Sequence, residues 1–272
     1  MQSGKDVSKH ITTKVLLERK KKKEKITMLT AYDYLTAKFL DEAGIEMILV
    51  GDSLGNVIQG NETTLPVTLE QIIYHTNMVK KAVNNALVVA DMPFMSYQIG
   101  PEEAIRNAGR LMKETGCDAV KMEGGKYLIE TIRRIVEIGI PVMGHLGLTP
   151  QSINKFGSYK TRGVDRAEAE AIKRDALLLE KAGCFGLVLE KVPAALGKSI
   201  SKSLKIPTIG IGAGPDCDGQ VLVTHDMLGM LEDFKPRFVR RYMHLAKEMK
   251  DAFRRYSKDI KENKFPTEKE SY

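Results

Sequence analysis

Four short apolar runs in this chain end in, or carry, groups that can do chemistry. The run 48–50 passes through Gly51 into Asp52 and Ser53, and 86–90 ends at Asp91. The run 119–125 carries Lys121 and Glu123, and 186–189 stops on Glu190. Charged groups rarely border apolar runs without partners. Any one of them could be a strand-to-helix turn, where Asp and Ser are common; four together point to one shared site. Two aspartates, completed by water or substrate oxygens, are a usual way to hold Mg²⁺. Lys121 could pair with a substrate carboxylate, Glu123 could reach a metal directly or through water, and Glu190 could serve as general base. His145, in Gly-His-Leu-Gly, reads equally as a satisfied core histidine or a site residue. A metal chelated by an α-keto acid acts as an electron sink for the adjacent carbanion. The pattern therefore suits carbon–carbon bond formation or cleavage at a keto acid.

Positioning these groups requires strands that end on one side. Apolar runs predict strands at 26–30, 45–50, 86–90, 117–122, 141–144, 185–189, 208–211 and 220–223, alternating with helical patterns. A glycine separates helix from strand at Gly44, Gly116, Gly139 and Gly183, the residue expected just past a helix end in the left-handed conformation. Thr68 with Gln71, and Asp165 with Glu168, have capping-box spacing. Leu35, Phe39, Leu40 and Ala43 share one predicted helix face, and 154–163 is polar enough for a flap over a site. Gly-Ile-Gly-Ala-Gly at 210–214 suits either a phosphate loop or a tight turn with close backbone approach to a ligand. Eight strands alternating with helices, with polar residues after nearly every strand, predict an α/β fold, a (β/α)₈ TIM barrel; a doubly wound open sheet is the alternative. The expected organisation is a basic segment with a short helix at 1–25, a catalytic barrel at 26–235, and a charged helix and tail at 236–272.

The 272 residues carry a formal charge of +7. Residues 1–25 hold nine Lys/Arg against three Asp/Glu, and 231–272 hold twelve against eight. The body between them is slightly acidic, with 21 basic and 24 acidic residues. Basicity at the ends, with acids at the strand ends, argues against nucleic acid as a partner. The run 19–25 reads as a solvated helix end. Cys117, Cys184 and Cys217 are widely spaced, which excludes a disulfide framework or zinc site, and burial is expected for Cys117 and Cys184. No signal-like or membrane-spanning apolar run is present, so a cytoplasmic location is expected.

Six segments, 29–33, 50–55, 90–94, 120–125, 144–151 and 210–214, together resemble the ketopantoate hydroxymethyltransferase family. The resemblance covers about residues 12–235. It implies a barrel of the phosphoenolpyruvate/pyruvate type that transfers a hydroxymethyl group from 5,10-methylenetetrahydrofolate to 3-methyl-2-oxobutanoate. It further implies that Asp52 and Asp91 bind Mg²⁺, with Glu123 completing the metal site. By the same resemblance Asp52, Ser53, Asp91 and Lys121 hold the keto acid, Glu190 is the proton acceptor, and the assembly is a cytoplasmic homodecamer. An isocitrate-lyase-like or phosphonopyruvate-type enzyme is the competing reading; the lyase would be expected to show a cysteine in its flap, and 150–165 contains none.

Overall fold

A computed structural model describes residues 10–272; residues 1–9 of the basic segment lie outside it. Eight parallel strands close into a barrel: β1 Ile26–Thr30, β2 Met47–Val50, β3 Leu87–Asp91, β4 Ala119–Glu123, β5 Val142–Gly147, β6 Gly186–Glu190, β7 Thr208–Ile211 and β8 Gly219–Leu222. Strand β1 pairs with both β2 and β8, which closes the ring and rules out the open sheet. Helices α1 Thr13–Lys22, α2 Tyr34–Glu42, α3 Leu54–Val57, α4 Leu69–Ala82, α5 Pro101–Thr115, α6 Ile129–Glu137, α7 Ile153–Phe156, α8 Arg166–Lys181 and α9 Ala194–Ser203 complete this unit. It ends at Leu222, and 223–272 form a second unit. The helix–glycine–strand grammar holds, with positive φ at Gly44, Gly116, Gly139 and Gly183. At α4 the cap is reciprocal: Gln71 N–H donates to Thr68 Oγ1 and Thr68 N–H to Gln71 Oε1.

The core has two layers. Ile48, Val50, Val88, Ala90, Val120 and Leu187 pack outward against the helices. Met28, Met47, Leu49, Leu87, Val89, Ala119, Met143, Val188, Ile209 and Val221 fill the barrel's interior. Leu16 of α1 is fully buried among these interior residues, so α1 plugs the end at which the strands begin. The basic run is not simply solvated: Lys20 pairs with Asp218 at 2.6 Å, Arg19 with Glu46 at 2.6 Å, and Lys25 donates to the Pro215 and Cys217 carbonyls. It rivets the plug to the barrel.

Several local expectations need correcting. Helix α2 buries Ala37, Leu40 and Asp41, while Leu35 and Phe39 are exposed. Asp41 faces inward because its carboxylate accepts from the backbone N–H groups of Asn84, Asn85 and Ala86. Asp165 caps α8, but Glu168 turns to Gly163 N–H and Arg162 instead of closing a box. In 154–163, Arg162 N–H donates to the Lys191 carbonyl at 2.8 Å and Lys191 Nζ to the Tyr159 carbonyl. The 210–214 glycines admit close approach by the chain's own α9: a Cβ on Gly214 would lie 2.5 Å from Ala194 Cβ. Cys117 and Cys184 are buried free thiols, as expected.

The second unit contains α10 Thr224–Met227 and α11 Leu245–Lys261. The helix expected from 236 thus starts nine residues late. Arg241 instead donates to the carbonyls of Leu231, Glu232 and Phe234, organising a loop ahead of it. No residue of α11 is buried. Among the described residues no helix is long and apolar enough to cross a membrane.

Candidate active site

Side chains alternate across a strand, so residues two or four apart share a face. Leu87 and Val89 point into the barrel, and therefore so does Asp91. Ala119 faces in, followed by Lys121 and Glu123; Met143 is followed by His145, and Val188 by Glu190. Four adjacent strands thus deliver their charged residues to the interior at the C-terminal end, where barrel enzymes keep their sites. His145 lies inside β5, directly across from Glu123. Asp52 arrives from the loop after β2, its N–H donating to Asp91 Oδ2 at 3.1 Å.

Lys121 Nζ donates to Asp91 Oδ1 at 2.6 Å and to Glu123 Oε1 at 3.3 Å. His145 Nδ1 lies 3.1 Å from the same Glu123 oxygen, and Nε2 lies 3.4 Å from Glu190 Oε2. Asp52, Asp91, Lys121, Glu123 and His145 are all at most 4% exposed, whereas the Glu190 side chain keeps 17% of its surface open. Gly147 brings β5 against β6, with Leu148 N–H on the Glu190 carbonyl at 2.8 Å. A Cβ on Gly147 would meet that carbonyl oxygen at 2.2 Å. Ser53 Oγ lies 2.8 Å from the buried Tyr32 hydroxyl, at the entrance to α3.

Burial pushes the Asp52 carboxyl well above the ordinary range, and the neighbouring charges of Asp91 and Glu123 push the same way. Burial also raises Asp91, although Lys121 opposes it. Burial would raise Glu123 too, but Lys121 and then His145 prevail and hold it down to about 2. Burial disfavours charge on His145, yet Glu123, with the contact to Glu190, pushes it up to about 9. Lys121 is held cationic by Asp91, Glu123 and Asp52 against its burial. Lys121 and His145 thus serve Glu123 and Asp91, while among the described residues no cation pairs with Asp52.

That imbalance, with two hard carboxylates side by side, fits a divalent cation at Asp52 and Asp91. Both Glu123 oxygens are engaged, Oε1 by Lys121 and His145 and Oε2 by Gln151 N–H at 3.0 Å. Among the described residues no group of three His, Cys, Asp or Glu side chains converges on a metal-sized point.

Every charged residue singled out from the sequence thus reaches this site, and Ser53 lies at its edge beside Asp52. Gln151 and Tyr97 were missed as individual residues. Gln151 lies in the 144–151 segment, but nothing in its type sets it apart from an ordinary loop glutamine. Tyr97, buried in the loop after β3, donates to Gln151 Oε1 at 2.6 Å and accepts from Glu123 N–H.

Among solved structures, phosphonopyruvate hydrolase in complex with oxalate and Mg²⁺ superposes with a TM-score of 0.61 at 12% identity, over 95% of this chain and 92% of that one. A 2,3-dimethylmalate lyase, described as a PEP mutase/isocitrate lyase superfamily member, gives 0.60 at 16% identity over 96% and 91%. These neighbours share the barrel fold. The 3-methyl-2-oxobutanoate hydroxymethyltransferase of Flavobacterium johnsoniae is 57% identical over the full length of both chains. The protein of the same description from Chlorobaculum tepidum is 56% identical over 97% of this chain and 96% of its own length. The family model described as ketopantoate hydroxymethyltransferase matches residues 10–268. The chain belongs to the ketopantoate hydroxymethyltransferase family and is an enzyme of that hydroxymethyl-transferring type.

Proposed function

We propose that this chain transfers a hydroxymethyl group from 5,10-methylenetetrahydrofolate to C3 of 3-methyl-2-oxobutanoate, giving 2-dehydropantoate on the route to pantothenate and coenzyme A. The relatives' names support the acceptor and the reaction type. The observation that carries the chemistry is the division of labour at one barrel end: a cation-fitting aspartate pair, a buried lysine and a separate, partly open carboxylate.

Asp52 and Asp91 would hold Mg²⁺, and Glu123 would complete the metal site directly or through water. When bound, the ion supplies positive charge that stabilises an enolate. The phosphonopyruvate hydrolase neighbour is described with Mg²⁺ and oxalate, a planar dianion shaped like a keto-acid enolate, which supports this reading. Lys121 has used two of its three N–H donors on Asp91 and Glu123; the third serves the substrate carboxylate. Asp52, Ser53 and Asp91 line the rest of the keto-acid position. Glu190, with His145 Nε2 beside it, takes the C3 proton as general base. Water releases the one-carbon unit as formaldehyde by breaking its two C–N bonds, and the two nitrogens take up the hydrogens of that water and leave as tetrahydrofolate; C3 then adds to the formaldehyde carbon, and the proton held by Glu190 returns to the new alkoxide oxygen.

The enzyme is further read as a cytoplasmic homodecamer. Three buried free cysteines suit a reducing compartment, and exposed Leu35, Phe39 and Tyr74 on α2 and α4 offer apolar surface for contacts between copies. Light scattering tests the assembly. Proton NMR of 3-methyl-2-oxobutanoate in D₂O with enzyme and Mg²⁺, without pterin, tests the chemistry. Loss of the C3 proton signal is expected with the wild type and not with Asp52→Ala; a signal that persists with the wild type overturns the enolate reading.

A further inference from the structure

Gln151 joins Asp52 to Glu123 across the site. It is 6% exposed and follows Pro150 in a short 3₁₀ turn after β5. Its Nε2 donates to Asp52 Oδ2 at 2.9 Å and to the Met92 carbonyl at 3.0 Å. Its Oε1 accepts from Tyr97 hydroxyl at 2.6 Å and from Gln98 Nε2 at 3.3 Å. Its backbone N–H donates to Glu123 Oε2 at 3.0 Å. The amide can be placed only one way round, because one end faces two acceptors and the other faces two donors. Both side-chain hydrogens and the carbonyl oxygen are therefore committed.

One residue on the loop after β5 thus grips the loop after β2 through Asp52, the loop after β3 through Met92, and the end of β4 through Glu123. Asp52 lies beyond its strand and has no ladder to hold it, unlike Asp91 in β3. The Nε2 bond occupies Asp52 Oδ2. Among the described residues no protein donor reaches Oδ1, which leaves that oxygen available to a cation. We infer that Gln151 is a positioning residue for the metal site: it fixes the orientation of the Asp52 carboxylate beside Asp91, and Tyr97 locks its amide in the required sense. Groups that orient metal-ligating side chains govern affinity strongly, and losing one costs about 10–100-fold. The inference rests on the reading of Asp52 and Asp91 as the Mg²⁺ pair.

Gln151→Met keeps the side chain's length and packing and removes every polar contact of its amide, while the backbone bond to Glu123 remains. Isothermal titration calorimetry with MgCl₂, at a temperature where each variant is folded by circular dichroism, reads the effect directly. Mg²⁺ affinity should fall about 10–100-fold in Gln151→Met, and Gln151→Glu should not restore it, because a carboxylate would oppose Asp52 where a donor is needed. Tyr97→Phe removes the lock on Oε1 together with the hydroxyl's contact to the Glu123 backbone N–H and should weaken Mg²⁺ binding about fivefold; it serves as the test if Gln151→Met does not fold. A merely structural role would lower the melting temperature and leave the folded protein's Mg²⁺ affinity unchanged. Wild-type affinity in Gln151→Met, or in Tyr97→Phe where that variant stands in, overturns the inference, provided Asp52→Ala has lost binding. If the wild type itself binds no Mg²⁺, or Asp52→Ala binds it normally, the metal assignment has failed instead.

Discussion

Replacing His145 with Gln removes a buried charge that the fold holds in place and keeps a donor for Glu123. The His145 pKa rises from 6.5 to about 9 in the folded protein, because the pull of Glu123 and the contact with Glu190 exceed the cost of burial. A pKa raised on folding contributes stability that is complete below the unfolded value. That stability disappears as the pH climbs through the folded value. The shift corresponds to on the order of 3 kcal/mol below pH 6.5, roughly 2 kcal/mol at pH 7.5, and almost nothing above pH 10. Glu123 is lowered from 4.5 to about 2 partly by the same pair, so the two shifts count one interaction from its two ends and are not added. Urea unfolding of wild type and His145→Gln, with chelator present to exclude metal, should show a gap of about 3 kcal/mol at pH 6. The gap should close to under about 1 kcal/mol by pH 9.5. A gap that stayed constant across that range, or widened with pH, would refute the charged His145–Glu123 pair.

Glu190→Gln should bind Mg²⁺ and keto acid nearly normally and turn over roughly 10²–10⁴-fold more slowly; turnover and D₂O exchange within a few-fold of wild type would remove it from the mechanism. Lys121→Ala leaves Asp91 and Glu123 buried without their cation, so it should cost about 3–5 kcal/mol in urea unfolding and weaken keto-acid binding by calorimetry. Unchanged values in both measurements would contradict its dual placement. Gly197 of α9 lies so close to the 210–214 turn that an added Cβ would meet the Ala213 carbonyl oxygen at 2.4 Å. Gly197→Ala should therefore destabilise by about 1–3 kcal/mol, and a thermal midpoint equal to wild type would show that the turn yields freely.

Much of the architecture was legible in local pattern alone. Strand positions were readable to within a few residues because buried parallel strands are continuous apolar runs. The glycines at 44, 116, 139 and 183 marked helix ends because the left-handed turn there favours a residue without Cβ. The site acids were legible because charge at the end of an apolar run is costly and therefore informative. The same continuity hid which residues face inward. Ile48 and Leu49 are equally apolar, yet one packs on helices and the other fills the barrel, and only closure of the ring separates them. Leu35 and Phe39 look like core residues and are exposed because Asp41, gripping 84–86, sets the rotation of α2. The basic run looked like a free helix end because its partners, Asp218 and the 215–217 carbonyls, lie almost two hundred residues away. Gln151 is the clearest case: a neutral side chain carries no cost that sequence can register, and it acquires a role only where the barrel brings two other loops within reach of one amide.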